Sequence, residues 1–381
     1  MNKLIFILLI IFSLQKSNAQ WAIMSVEADS LVLIGADLIY NCKFDSAHAV
    51  FEQVIKKYPD HPAGYFLDGM VDWWRITVHR NVDAYQDQFL KKMDLIIEKC
   101  DELLEENPAD LTALFFKGGA YGYRGRFYAR DKQWISAAVD GKAGLDIMLE
   151  CHKRAPGNHD IMLGSGIYNY FAGAIPEKYP MVKPLMYFLP DGDKRLGLFQ
   201  LRASAKKARY TSVEARVALL QSYYNFEHDY HQALIWAKGL HQDYPANPYF
   251  HRYLARCYNR LGRWKEIESH WREIVTRSID RWEGYNNKTA SEGLYYVGLS
   301  LQRKRGYAGA VKYFKKCIEL YEYMGEDESS FYLSAQLKLG LTYDKLGERE
   351  LAKKQYKIVL DLDDYNGNHD RAEKYLEKAY K

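Results

Sequence analysis

The stretch "LKLGLTYDKLGERELAKKQYKIVLDLDD", Leu337 to Asp364, reads as two amphipathic helices folded back on each other, and the chain uses that plan several times over. Leu339, Gly340 and Tyr343 share one face of the first helix, Gly347 marks the turn, and Ala352, Tyr356 and Val359 line the second helix. Each such hairpin leaves an apolar face that only a neighbour can cover, so the units must stack into an array. This repetition restricts the fold more than any composition figure does.

Four further units align with the first. Gly298, Leu301, Ala310, Phe314 and Cys317 repeat it, as do Ala255, Tyr258, Gly262 and Trp271, where Ile267 replaces the small residue of the second helix. Tyr224, Ala233, Ala237 and Pro245 mark another, and Gly35, Ala47, Phe51 and Pro59 one near the N-terminus. Small residues at helix crossings with large ones beside them resemble the tetratricopeptide repeat (TPR), most clearly in Leu337–Asp364. The resemblance implies an all-α, right-handed α-solenoid of about eight hairpins with a concave inner surface. Between Pro62 and about Lys207 three longer hairpins are expected, the third split by an insertion, and His369–Tyr380 is expected to close the array. The expected organisation is a leader at 1–20, long TPR-like hairpins at 21–207, and a TPR array at 208–381, with the insertion, about 172–190, as the natural seam.

The N-terminal run, Lys3 followed by apolar Leu4–Phe12 and small or polar residues to Ala19, has the form of a secretory signal peptide cut near Ala19 or Gln20. No later stretch reaches the roughly 18 apolar residues of a membrane helix. Losing Lys3 and Lys16 takes the formal charge from +4 to +2, too little to argue for nucleic acid or an anionic membrane. The expected location is periplasmic in a Gram-negative bacterium and secreted otherwise. Cys42, Cys100, Cys151, Cys257 and Cys317 are far apart and form no CxxC pair, so they read as small apolar residues inside helices.

The segment "LPDGDKRLGLFQLRASAKKA", Leu189 to Ala208, sets acids and bases around a glycine. A calcium loop would need further oxygen ligands after Asp193, and a phosphate loop would need glycines ahead of a lysine and a hydroxyl residue. Asp191 or Asp193 as a helix cap, with Gly197 at a helix crossing, accounts for it without chemistry. Together "GIYNYFAGAIP", the insertion and "DGDKRLGLFQLRAS", Gly166 to Ser204, resemble the divergent group of tetratricopeptide repeat protein 39 and its inclusion-clearance relatives, from which no functional residues are carried over.

His228 and His231, with His241 and His251 nearby in sequence, read as exposed or packing side chains. Ser165 lacks a nucleophile-elbow context, Asn287 sits in a glycosylation triplet, and no catalytic residue, metal or cofactor is expected. The 32 tyrosines fit packing and binding alike. The expected function is that of an exported, non-enzymatic scaffold gripping a protein or peptide through first-helix aromatics: Tyr121, Tyr123, Tyr168, Tyr170, Tyr223 and Tyr224. The alternative is a structural part of a cell-envelope assembly, docking through the convex face or the insertion at 176–190, with Met181, Met186, Tyr187 and Phe188 as contacts. Folding of that apolar cluster back onto the long hairpins as a plug is the preferred reading of the insertion.

Overall fold

The computed structural model describes residues 25–79, 85–187, 189–326 and 329–381. The leader, Phe188 and the side chain of Met186 lie outside the described residues. The all-α expectation is borne out. The helices are α1 Val26–Tyr40, α2 Phe44–Lys57, α3 Pro62–His79, α4 Gln86–Glu106, α5 Leu111–Arg130, α6 Trp134–Arg154, α7 Ile161–Lys178 and α8 Lys194–Lys207. They continue as α9 Ser212–Gln221, α10 Tyr230–Asp243, α11 Pro248–Arg260, α12 Trp264–Ile279, α13 Asn287–Arg303, α14 Tyr307–Tyr323, α15 Ser330–Leu346, α16 Arg349–Leu360 and α17 Asn368–Glu377. Consecutive pairs form the hairpins, and α17 packs on α15 and α16 as the closing helix.

Turn chemistry sets the helix ends. Asp193 accepts backbone N–H bonds from Arg195 and Leu196, so the acidic loop of Leu189–Ala208 is the cap of α8. Asn247 caps α11 in the same way, ahead of Pro248 at the first helical position. Gly347 ends α15 in the left-handed region at φ 80°. Cys42 departs from the sequence reading: it sits in the turn between α1 and α2 at φ 58°, not inside a helix. All five cysteines are buried, and burial pushes the Cys100, Cys151 and Cys257 thiols up to about 12.

The chain forms two compact units. One holds Lys43–Trp73 and Gln86–Leu219 with the N-terminal residues to Ile39; the other holds Tyr40–Cys42, Trp74–Tyr85 and Leu220–Lys381. The units therefore divide inside α3 and α9, whereas the insertion expected as a seam lies within the first unit. In the second unit the end of α3 packs on α11: the Trp74 ring meets Phe250 edge-on at 5.4 Å, and Asn247 Nδ2 donates to the Tyr40 carbonyl at 2.9 Å. The core of its C-terminal half runs through Phe314, Leu337, Leu339 and Tyr356.

Charge joins three helices of the first unit. His48 on α2 pairs with Asp68 and, at 3.5 Å, with Asp72 of α3, while Lys92 of α4 lies 2.6 Å from each carboxylate. Burial opposes a charge on His48, but the two carboxylates outweigh it and raise its pKa from 6.5 to about 9. Protonated His48 therefore stabilises the fold fully below about pH 6.5, and the contribution is lost as pH rises through about 9. Thermal unfolding of the parent should fall over that window by an amount that His48→Gln removes. An unchanged slope in the variant would assign it to another group.

Candidate functional site

A departure from regular helix builds the best-organised polar surface of the second unit. After Gln221 the chain continues as a π-turn, Ser222–Phe226, which inserts a residue and rotates the side chains that follow. Tyr223 turns inward and is buried, and Tyr224 stays half-buried. The Tyr224 ring meets Tyr253 of α11 edge-on at 5.3 Å, and Asn225 Nδ2 donates to the Tyr253 hydroxyl at 3.4 Å. Burial raises the Tyr224 hydroxyl above its ordinary range, against the pull of its hydrogen bond with Arg260.

One turn along α11, the Arg256 guanidinium lies 5.9 Å over the Tyr253 ring and grips Glu292 of α13 through both carboxylate oxygens, with Nη2 to Oε2 at 2.7 Å. Glu292 is only 1% exposed, so the pair is held in a low-dielectric wall. Tyr296 on α13 lies nearly parallel to Trp271, 5.0 Å between centroids. Gln302 then bridges to α15, donating to Thr342 Oγ1 at 2.8 Å. Close to it in sequence, burial pushes the Lys338 ammonium down to about 8, and Arg371 adds to the effect. First helices α11, α13 and α15 thus carry fixed aromatic faces, donors and acceptors, which suit hydrogen bonding and cation–π contact with an extended chain.

The tyrosines expected as outward anchors divide. Tyr170 is fully buried and Tyr223 is 4% exposed, so both are corrected to packing residues: the first sits where α8 crosses α7, and the second follows the turn inward. Tyr123 is committed to the first unit's interior, its ring against Trp73 at 5.3 Å and Phe66 at 6.0 Å, with a hydrogen bond to Glu214. Tyr121 lies under Arg124 at 5.2 Å, and the Tyr168 hydroxyl donates to the Pro190 carbonyl, closing the insertion. Of the expected set, Tyr224 alone belongs to the second-unit network. Sequence reasoning missed Arg256, Glu292 and Tyr296, because only the π-turn and the stacking of first helices bring them together.

The insertion is less of a plug than the sequence suggested. Val182 is buried, but Met181 is 73% and Tyr187 is 87% exposed. Leu189 shares a shallow apolar pocket with Ile135, Ala138 and Val139 of α6, and Ile135 is itself 73% exposed. Among the histidines, His228 and His231 are exposed. His241 and His251, read as exposed or packing, are packed: their rings stack at 4.4 Å, and both meet His270, which the sequence did not single out. Their closeness follows from the tight turn between α10 and α11, which folds the last turn of one helix beside the first turn of the next.

Residues 334–364 match the tetratricopeptide repeat family. The anaphase-promoting complex subunit CDC16 of Saccharomyces cerevisiae is 37% identical over 70 residues, a match that spans 18% of this chain and 8% of that protein. Solved structures to which this chain is similar include the human IFIT1 dimer with PPP-AAAA, at 13% identity and TM-score 0.46 over 84% of this chain and 69% of that one. The C-terminal part of a TPR repeat-containing protein of Cytophaga hutchinsonii gives 13% and 0.46 over 76% and 98%. A Rap protein complexed with competence and sporulation factor gives 12% and 0.46 over 93% and 96%. The family match does not reach Gly166–Ser204, whose resemblance to tetratricopeptide repeat protein 39 is not carried by these comparisons.

Proposed function

This chain is a member of the tetratricopeptide-repeat superfamily, and from that premise we propose that it is an exported, non-enzymatic scaffold holding a protein or peptide partner along the first helices of its second unit. The superfamily's fold is in general a protein-binding scaffold. The observation that carries the finer reading is the network from Tyr224 through Tyr253 and Arg256 to Glu292, whose side chains are held in place before any partner arrives. Anchors fixed in advance lose little conformational entropy on binding, and Tyr and Arg are the residue types that most often dominate interface energies. The apolar run Leu4–Phe12 supports export, to the periplasm in a Gram-negative bacterium and to the medium otherwise. Among the described residues no helix is long and apolar enough to cross a membrane.

The test is crosslinking capture from native envelope with the chain lacking residues 1–20, beside a variant combining Tyr224→Ala, Arg260→Glu and Lys338→Glu. Tyr224 and Lys338 are half-buried and Arg260 is exposed, so some loss of melting temperature is expected, and capture is compared at a temperature where both chains show full helicity. A partner captured by the parent and lost by the variant supports the first-helix face. Equal capture overturns it and favours a second reading, docking in an envelope assembly through the exposed Met181, Tyr187, Ile135 and Val139. Met181→Ser with Tyr187→Ser would then abolish capture.

A further inference from the structure

Three imidazoles converge in the second unit, from the end of α10, the first turn of α11 and the middle of α12. His241, His251 and His270 each present a ring nitrogen, and these atoms lie within 4.8 Å of one another. His251 Nε2 is 3.1 Å from His270 Nδ1, close to the roughly 3.3 Å that two nitrogens adopt around one tetrahedral zinc at 2.0–2.1 Å bonds. His251 is wholly buried, and His241 Nδ1, buried too, has no hydrogen-bond partner. An orphaned buried nitrogen is costly, and a metal ion is one of the few things that satisfies such a group.

We propose that His241, His251 and His270 form a binding site for a divalent transition-metal ion of the zinc class, which clasps α10 to the α11–α12 hairpin. Imidazole donors suit zinc, copper and nickel, and exclude magnesium and calcium as natural occupants. Neutral imidazole is the form that ligates, and the wholly buried His251, with His241 and His270 half-buried beside it, gives the three rings little water to compete for the ion. Glu273 Oε2 stands 3.8 Å from His251 Nε2 and is the nearby carboxylate able to complete the set. The positive charge of Arg277, which would oppose a cation, is matched by Glu273, to which its Nη2 donates at 2.5 Å. Tyr285 lies behind the site with its hydroxyl 3.1 Å from His251 Nδ1, so with metal on Nε2 the Nδ1–H donates to that oxygen and fixes the ring. Without metal the same atoms form a chain in which Arg277 donates to Tyr285, Tyr285 to His251, and His251 to His270.

The untagged, chelator-treated chain is titrated with Zn²⁺, reading bound zinc per chain after dialysis, the shift in thermal midpoint, and the visible absorption of a Co²⁺ substitute. One zinc per chain, a raised midpoint and a tetrahedral Co²⁺ spectrum are expected. His270→Ala and His241→Ala replace half-buried rings and should fold while losing tenfold or more in affinity. Tyr285→Phe removes the hydroxyl that meets both His251 Nδ1 and Arg277 Nη1, and should weaken binding roughly tenfold. His228→Ala with His231→Ala should change nothing. No zinc at one equivalent, equal binding by the His241 and His270 variants, or loss in the His228/His231 variant would each overturn the proposal and leave the hydrogen-bonded chain as the cluster's role.

Discussion

Gly197→Ala should destabilise the protein by about 3 kcal/mol or more, at a position where helix propensity alone forecasts a gain. A Cβ at 197 would stand 2.4 Å from the Tyr170 amide nitrogen and 2.8 Å from its Cα. Those are backbone atoms of α7 and cannot swing aside as a side chain would, so the methyl group must push α8 off α7. The separation would loosen Tyr170 and Leu201, both wholly buried at the crossing. Gly122, within α5, supplies the internal control: a Cβ there meets nothing within 4 Å, so Gly122→Ala should gain about 0.5–1 kcal/mol. Urea unfolding of both variants checks the pair. A stabilised Gly197→Ala would mean that the two helices cross less tightly than this geometry requires.

The same glycine shows how far the sequence could be read. A small residue repeated at the crossing position is a local, periodic signal, and it located the hairpins without any knowledge of which helix meets which, while the cap was left between Asp191 and Asp193. Gly340 against Tyr356 and Gly298 against Phe314 repeat the arrangement, each side chain filling the space that its glycine leaves. The candidate site was far less legible. Tyr223 and Tyr224 are adjacent in sequence, and a regular helix would separate their directions by 100° at either one's expense; which of them faces inward is set by the π-turn at Ser222–Phe226, for which no residue pattern gives warning. Tyr170 failed as an anchor for a related reason. An aromatic residue in a first helix suits both an open face and a crossing, and the close approach at Gly197 selects the crossing. The histidines escaped because His241, His251 and His270 come from three helices, with no short spacing of the kind that marks a metal motif.

Arg256→Met is expected to cost about 3–5 kcal/mol, since it leaves the Glu292 carboxylate buried without its cation. Glu292→Leu should cost less, because the Arg256 head is partly exposed, at 23%, and can turn toward water while its stem stays over the Tyr253 ring. The double variant, Arg256→Met with Glu292→Leu, should recover to within about 1 kcal/mol of the parent, because an apolar pair of similar volume removes both charges together. Single variants that each cost under about 1 kcal/mol would show that water screens the pair and that the wall is not preorganised. The cycle also separates stability from recognition. A double variant that melts like the parent and still captures the partner assigns Arg256 and Glu292 to holding α11 against α13, with contact left to Tyr224, Arg260 and Lys338. If it melts like the parent but loses the partner, the fixed charge pair is itself read by the bound chain, and the partner must then present a carboxylate or a backbone carbonyl to the guanidinium.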